Sequence, residues 1–83
     1  MRRKDALDEL SASEKEELIR EWISGYNAKR NKKIMKRNLI DGDGYEAIAE
    51  EFDLSRQHVK TIITRYRRIL CEHIDQKSTK NKP

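Results

Sequence analysis

Arg56, Gln57, Lys60, Thr61 and Thr64 recur at helical spacing and so share one side of a helix. Each can donate or accept hydrogen bonds at base edges or phosphates, and none is acidic. Arg suits bidentate contact with guanine and Gln with adenine, so a DNA site containing both bases is expected. Val59 and Ile62 fall on the opposite, inward side. A helix that is apolar inward and hydrogen-bonding outward is what insertion into the major groove of duplex DNA requires. Ser55, immediately ahead, is placed to cap this helix and to reach the same surface. His58 flanks the groove face.

Other chemistries fail on spacing. Asp41-Gly42-Asp43-Gly44 starts like a calcium loop, but the loop's turn glycine would fall on Glu46 and its closing bidentate Glu on Phe52. Cys71 and His73 lie two apart on a helix, point to different faces and have no further Cys to complete a metal site. No Ser/His/Asp grouping reads as a nucleophilic triad, and the paired carboxylates sit on exposed helical faces. The expectation is a non-enzyme with no cofactor, no metal and no small-molecule substrate.

The elements that position the candidate face are helical throughout. Nothing alternates with period two over a useful length. Ser13-Glu14-Lys15-Glu16 reads as a capping box opening a first helix, with Ser11-Ala12-Ser13-Glu14 as a competing start. Leu18, Ile19, Trp22, Ile23 and Tyr26 make its apolar stripe, which assigns Trp22 to the core rather than to a stacking platform for single-stranded nucleic acid. A second helix runs from about Asn27 to Ile40 with Ile34, Met35 and Leu39 on one side. Sequence leaves open whether Gly25 separates these two helices or lies within one. Asp43-Gly44-Tyr45-Glu46 is a further capping box, opening a short helix from Tyr45 to Phe52. After Asp53-Leu54, Ser55 caps a last helix from Arg56 to about Asp75. The expected fold is all-α, a small four- to five-helix bundle with an extended C-terminal recognition helix. Residues 1–12 read as a flexible or partly ordered arm, 13–75 as the domain and 76–83 as a disordered basic tail.

Composition agrees with a small binding module. The chain has 83 residues, 41% of them charged, with a net charge of +4 and a mean hydropathy of −1.05. One modest core is available, which argues against a deep catalytic cleft. No apolar run approaches the roughly 20 residues of a bilayer span, and no apolar signal-peptide core follows Met1-Arg2-Arg3-Lys4. A soluble, cytoplasmic protein is expected. The signs of charge are segregated: residues 25–40 carry six basic and no acidic side chains, and residues 41–53 carry six acidic and no basic ones. Residues 54–83 carry eight basic against two acidic. Blocks of this kind orient a small protein toward a polyanion, two basic segments converging on one face.

Residues 45–64 have the internal spacing of a helix-turn-helix, with Ala49 at the close approach, Ile48 and Phe52 facing inward and Leu54 plugging the turn. The run Asp41-Gly42-Asp43-Gly44-Tyr45-Glu46-Ala47-Ile48-Ala49-Glu50-Glu51-Phe52-Asp53-Leu54-Ser55-Arg56 resembles the helix-turn-helix of sigma-factor region four. Gln57-His58-Val59-Lys60-Thr61-Ile62 is similar to LuxR-type response regulators. The basic helix with Ile34-Met35-Lys36-Arg37 sits where those families carry the helix before the motif. The resemblance covers about residues 31–70 and implies promoter-type recognition of double-stranded DNA by a stand-alone module of the kind familiar among small phage and mobile-element regulators. Many such motifs place glycine in the turn where this chain has Asp53, a residue that tolerates a left-handed backbone.

The site expected on these grounds comprises Ser55, Arg56, Gln57, Lys60, Thr61 and Thr64 at the bases. Lys36, Arg37, Tyr45, Arg65, Arg67 and Arg68 are expected at phosphates. Ile69, Leu70, His73 and Ile74 continue the apolar spacing of the last helix beyond the motif, and two covers suggest themselves. One is the N-terminal segment with Leu7 and Leu10; the other, favoured on affinity grounds, is a second copy, making a homodimer on a palindromic or repeated site. Two alternative roles use the same motif: a small-terminase-like packaging or recombination accessory factor, or an adaptor touching RNA polymerase through the acidic 41–53 surface.

Overall fold

The computed structural model describes residues 6–80, with side chains through residue 74. A 3-10 turn at Ala6–Glu9 precedes four helices: α1 Ala12–Trp22, α2 Ala28–Leu39, α3 Tyr45–Phe52 and α4 Arg56–Lys80. No strand occurs among the described residues, so the all-α expectation holds.

Each boundary has a local cause. The competing start wins at α1: the Ser11 Oγ accepts the Glu14 N–H at 3.2 Å, and Glu14 Oε1 accepts the Ser11 N–H at 2.9 Å. The reciprocal pair satisfies two amides that the helix itself leaves free. α1 ends as the backbone turns extended at Ile23, and Gly25, at φ +101°, reverses the chain. Gly25 therefore separates α1 from α2, at a dihedral that disfavours any side chain. Lys15 of α1 donates from Nζ to the Leu39 carbonyl at 2.9 Å, placing a cation at the negative end of α2.

The capping box expected at Asp43 does not form. Gly44 is the N-cap of α3 and no side chain caps it. Asp43 is held instead by the end of α2, its N–H bonded to the Arg37 carbonyl at 2.9 Å and its carbonyl to Asn38 Nδ2 at 3.1 Å. α3 then spans the expected residues and ends on Asp53 in the left-handed conformation, φ 57° and ψ 46°. The Leu54 N–H returns to the Ala49 carbonyl at 2.9 Å and closes the turn. A non-glycine residue in this region carries a strain of about 1 kcal/mol. Asp53→Gly is therefore expected to raise the unfolding free energy by up to about 1 kcal/mol. Urea unfolding of the two proteins checks this, and an unchanged or lower midpoint would contradict it.

The Ser55 Oγ accepts the His58 N–H at 3.0 Å and caps α4 as expected. With no glycine or proline between Arg56 and Lys80, α4 continues past the expected end near Asp75 and into the segment expected to be a disordered tail. Residues 1–5 of the expected arm and 81–83 of the expected tail lie outside the described residues.

The core gathers Leu18, Ile19 and Ile23 of α1, Ile34, Met35 and Leu39 of α2, Ile48 and Ala49 of α3, and Val59, Ile62, Ile63, Leu70 and Ile74 of α4. Leu7 joins it at 0% exposure, which brings the supposed N-terminal arm into the fold. The 3-10 turn and α1 both pack on α4, and this settles which cover the late apolar residues take. Leu70 and Ile74 are 0% and 8% exposed within a single chain, so neither is available for the expected dimer face. Ile69 and His73 are half-buried.

Two aromatic assignments are also corrected. Tyr26 is 100% exposed because α1 stops at Trp22 and the helical spacing that put it on the stripe no longer applies. Trp22 is 40% exposed and stacks on His73, with ring centroids 3.5 Å apart and planes 7° from parallel. It lies at the surface and not in the core.

Candidate nucleic-acid interface

α4 carries its inward residues, Val59, Ile62 and Ile63, into the core and leaves the candidate base-reading residues in solvent. Gln57, Lys60, Thr61, Thr64, Arg65 and Arg68 line one open groove that ends at Ile69. Tyr45, at the start of α3, closes round a neighbouring depression with Arg56, Gln57 and Lys60. The two concavities share Gln57 and Lys60, so they form one continuous surface. It contains no carboxylate. From Arg56 to Arg68 the row extends about 18 Å at the rise of an α-helix.

Two of the candidate hydroxyls are already engaged. Ser55 is the N-cap, and Thr61 Oγ1 donates to the Gln57 carbonyl at 3.1 Å. Their remaining lone pairs can still accept from a base or a bridging water, whereas Arg56, Gln57, Lys60 and Thr64 have their full donor sets exposed. The α3–α4 turn, fixed by Asp53 and capped by Ser55, holds the first turn of α4 against Tyr45.

The expected phosphate contacts divide into two groups. Tyr45, Arg65 and Arg68 border the candidate base-contacting row. Lys36, Arg37 and Arg67 are committed within the chain. Lys36 Nζ lies 3.0 Å from Glu16. Arg37 grips both Glu51 oxygens, with Nε at 3.0 and 3.1 Å and Nη2 at 2.9 Å, and its Nη1 reaches Asp41 at 3.1 Å. Arg67 is half-buried, with Nη1 3.3 Å from Asn38 Oδ1 and Nη2 3.4 Å from Asp8. Of the three, it is Arg37 that meets the acidic run 41–53, through Asp41 and Glu51. Each of the three is thus paired within the chain, with the Lys36 and Arg37 side chains still 44% and 42% exposed.

The Arg37 hydrogen bond holds the Glu51 carboxyl below its ordinary value of 4.5, and the bonds from Glu51 and Asp41 push the Arg37 guanidinium further above its own. A carboxyl whose folded-state value is depressed adds stability above its unfolded value, and the gain is lost as pH falls through the folded one. Glu51→Gln is therefore expected to destabilise the protein at neutral pH and to narrow the gap below about pH 4. Thermal melts of both proteins across the acid range check the sign; a gap independent of pH would contradict it.

Among the described residues no three His, Cys, Asp or Glu side chains converge as a metal site would need. No described helix is long and apolar enough to cross a membrane. The cations that sequence reasoning missed are Arg20, Lys29, Lys32 and Lys33, which line a groove between α1 and α2. Their signal was the acid-free run 25–40, expected to converge with α4 on one face. The concavities bordered by the two basic segments share no residue. No protein-family model matches this chain, and comparison with curated proteins and with solved structures gives no match.

Proposed function

We propose that this protein is a sequence-specific, double-stranded DNA-binding regulator of transcription, resembling sigma-region-four and LuxR-type helix-turn-helix modules, that seats the first turns of α4 in the major groove. One observation carries the reading. Arg56, Gln57, Lys60, Thr61 and Thr64 form a solvent-facing row free of acids, on a helix whose start is fixed by a tight left-handed turn. Base contacts come from Arg56, Gln57, Lys60 and Thr64, with Ser55 and Thr61 accepting. Tyr45, Arg65 and Arg68 hold the flanking phosphates. The protein acts in the cytoplasm.

Selection of duplexes from a random pool tests the proposal. A defined motif containing guanine and adenine, lost on Arg56→Ala and Gln57→Ala, is the expected result. Recovery of sequence-blind, purely salt-sensitive binding would overturn specific recognition and favour a DNA accessory role instead.

A further inference from the structure

The basic run 25–40 is only partly used by the fold. Arg37 and Lys36 are paired with carboxylates, but among the described residues Lys29, Lys32, Lys33 and Arg20, which faces them from α1, make no ion pair, although Lys33 is near enough to help hold down the Glu51 pKa. These four surround an open groove of about 570 Å³ between α1 and α2, floored by Ile19 and Ala28. Its one carboxylate, Glu16, is taken by Lys36. Lys29 and Lys33 also border an adjoining depression with Tyr26, whose side chain is 100% exposed. Placing like charges together without ion pairs costs stability, and only Lys33 has a carboxylate, Glu51, near enough to offset it.

The chemistry of the groove selects its ligand. Its cations recur along α2 at three- and four-residue steps, about 4.5–6 Å apart, as a row of point charges on a rigid rod. Three of the four are Lys, which suits phosphate oxygens without the paired geometry that favours Arg on carboxylates. The apolar floor is small, so the groove lacks the pockets that anchor an amphipathic peptide helix. Tyr26 adds a hydroxyl able to donate to a phosphate. Position matters as much as charge. α1 and α2 both pack on α4, whereas the Gln57–Arg68 row faces solvent, and the two grooves share no residue. The contacts proposed for a duplex on α4 use none of the residues of the α1–α2 groove.

We propose that this groove is a second phosphate-binding surface, which takes the backbone of a duplex DNA segment other than the one on α4. One chain then bridges two segments. The inference rests on the DNA-binding reading of α4 for the first segment only. It is tested by immobilising one duplex carrying the selected motif and measuring capture of a second, labelled duplex of unrelated sequence. The variant Lys29→Gln/Lys32→Gln/Lys33→Gln removes charges that make no ion pair, and circular dichroism confirms its fold. Capture of the second duplex is expected to fall about tenfold or more, with binding of the first changing by no more than about twofold. Capture that persists in the variant, as bridging by a protein dimer would, overturns the proposal. An equal loss of both activities also overturns it, because the cations would then serve the same duplex. If the wild type binds one duplex through α4 and captures no second, this inference alone fails; if it binds none, the reading of α4 fails with it.

Discussion

Leu70→Glu unfolds the protein as a single chain and does not dissociate an assembly. Leu70 has no exposed surface, and the 3-10 turn with Leu7 and helix α1 pack on the same helix. Truncating such a residue to Ala costs about 2–5 kcal/mol, and placing an unpaired carboxylate there costs more. A domain of this size has a total stability of about 4–12 kcal/mol, so the Glu variant lies at or below the threshold of folding. Ile69→Glu changes the adjacent position, which is half-buried at the end of the α4 groove, and is expected to leave the fold intact. Circular dichroism separates the two variants, and sedimentation equilibrium completes the test. The wild type is expected at its chain mass of 9.9 kDa at every concentration. A Leu70→Glu protein that stays folded while a wild-type dimer falls to monomer would restore the exposed apolar face and refute the packing described here.

The elements read correctly in the sequence were those whose signals are local. α3 has its expected bounds, Ser55 caps α4, and Asp53 takes the left-handed conformation that its place in the turn demands. Each follows from residues within one turn of the boundary. The errors share a different cause. At the start of α1 two overlapping capping boxes compete, and both offer a serine ahead of a glutamate; packing of the preceding segment on α4 accompanies the choice of Ser11. The period that puts Tyr26 on the stripe runs past the point where Gly25 turns the chain, whereas Trp22 lies within α1, as its last residue, and stacks on His73. The fate of Leu70 and Ile74 depended on Leu7, more than sixty residues away, and no periodicity encodes that contact. The block signs of charge were legible, but which carboxylate meets which cation is set by how α3 returns along α2, and that return pairs Arg37 with Glu51. The spacing of the candidate base-contacting row was legible because it lies on one helix and its N-cap. The candidate phosphate set draws on three helices, and which of its cations meet carboxylates within the chain was not legible.

That division yields the sharpest quantitative expectation for binding. Each phosphate neutralised by a side chain contributes about 0.9 to the slope of log affinity against log salt. Arg65 and Arg68 are exposed on the groove with the base-reading row. The variant Arg65→Ala/Arg68→Ala is therefore expected to flatten the slope by up to about 1.8 and to weaken all sequences alike. Arg56→Ala, by contrast, removes a proposed base contact and is expected to cost about 1–3 kcal/mol on the selected site and to relax preference at one base pair. Arg37→Ala provides the internal control. Its guanidinium is held by Glu51 and Asp41, so removing it leaves two carboxylates unpaired at the α2–α3 corner. Stability falls, while the salt slope of the folded protein stays within experimental error of wild type. Titrations of one specific and one scrambled duplex over a range of salt concentrations measure all three variants. A slope that falls for Arg37→Ala and holds for Arg65→Ala/Arg68→Ala would move the phosphate contacts from α4 to the end of α2, and with them the face presented to DNA.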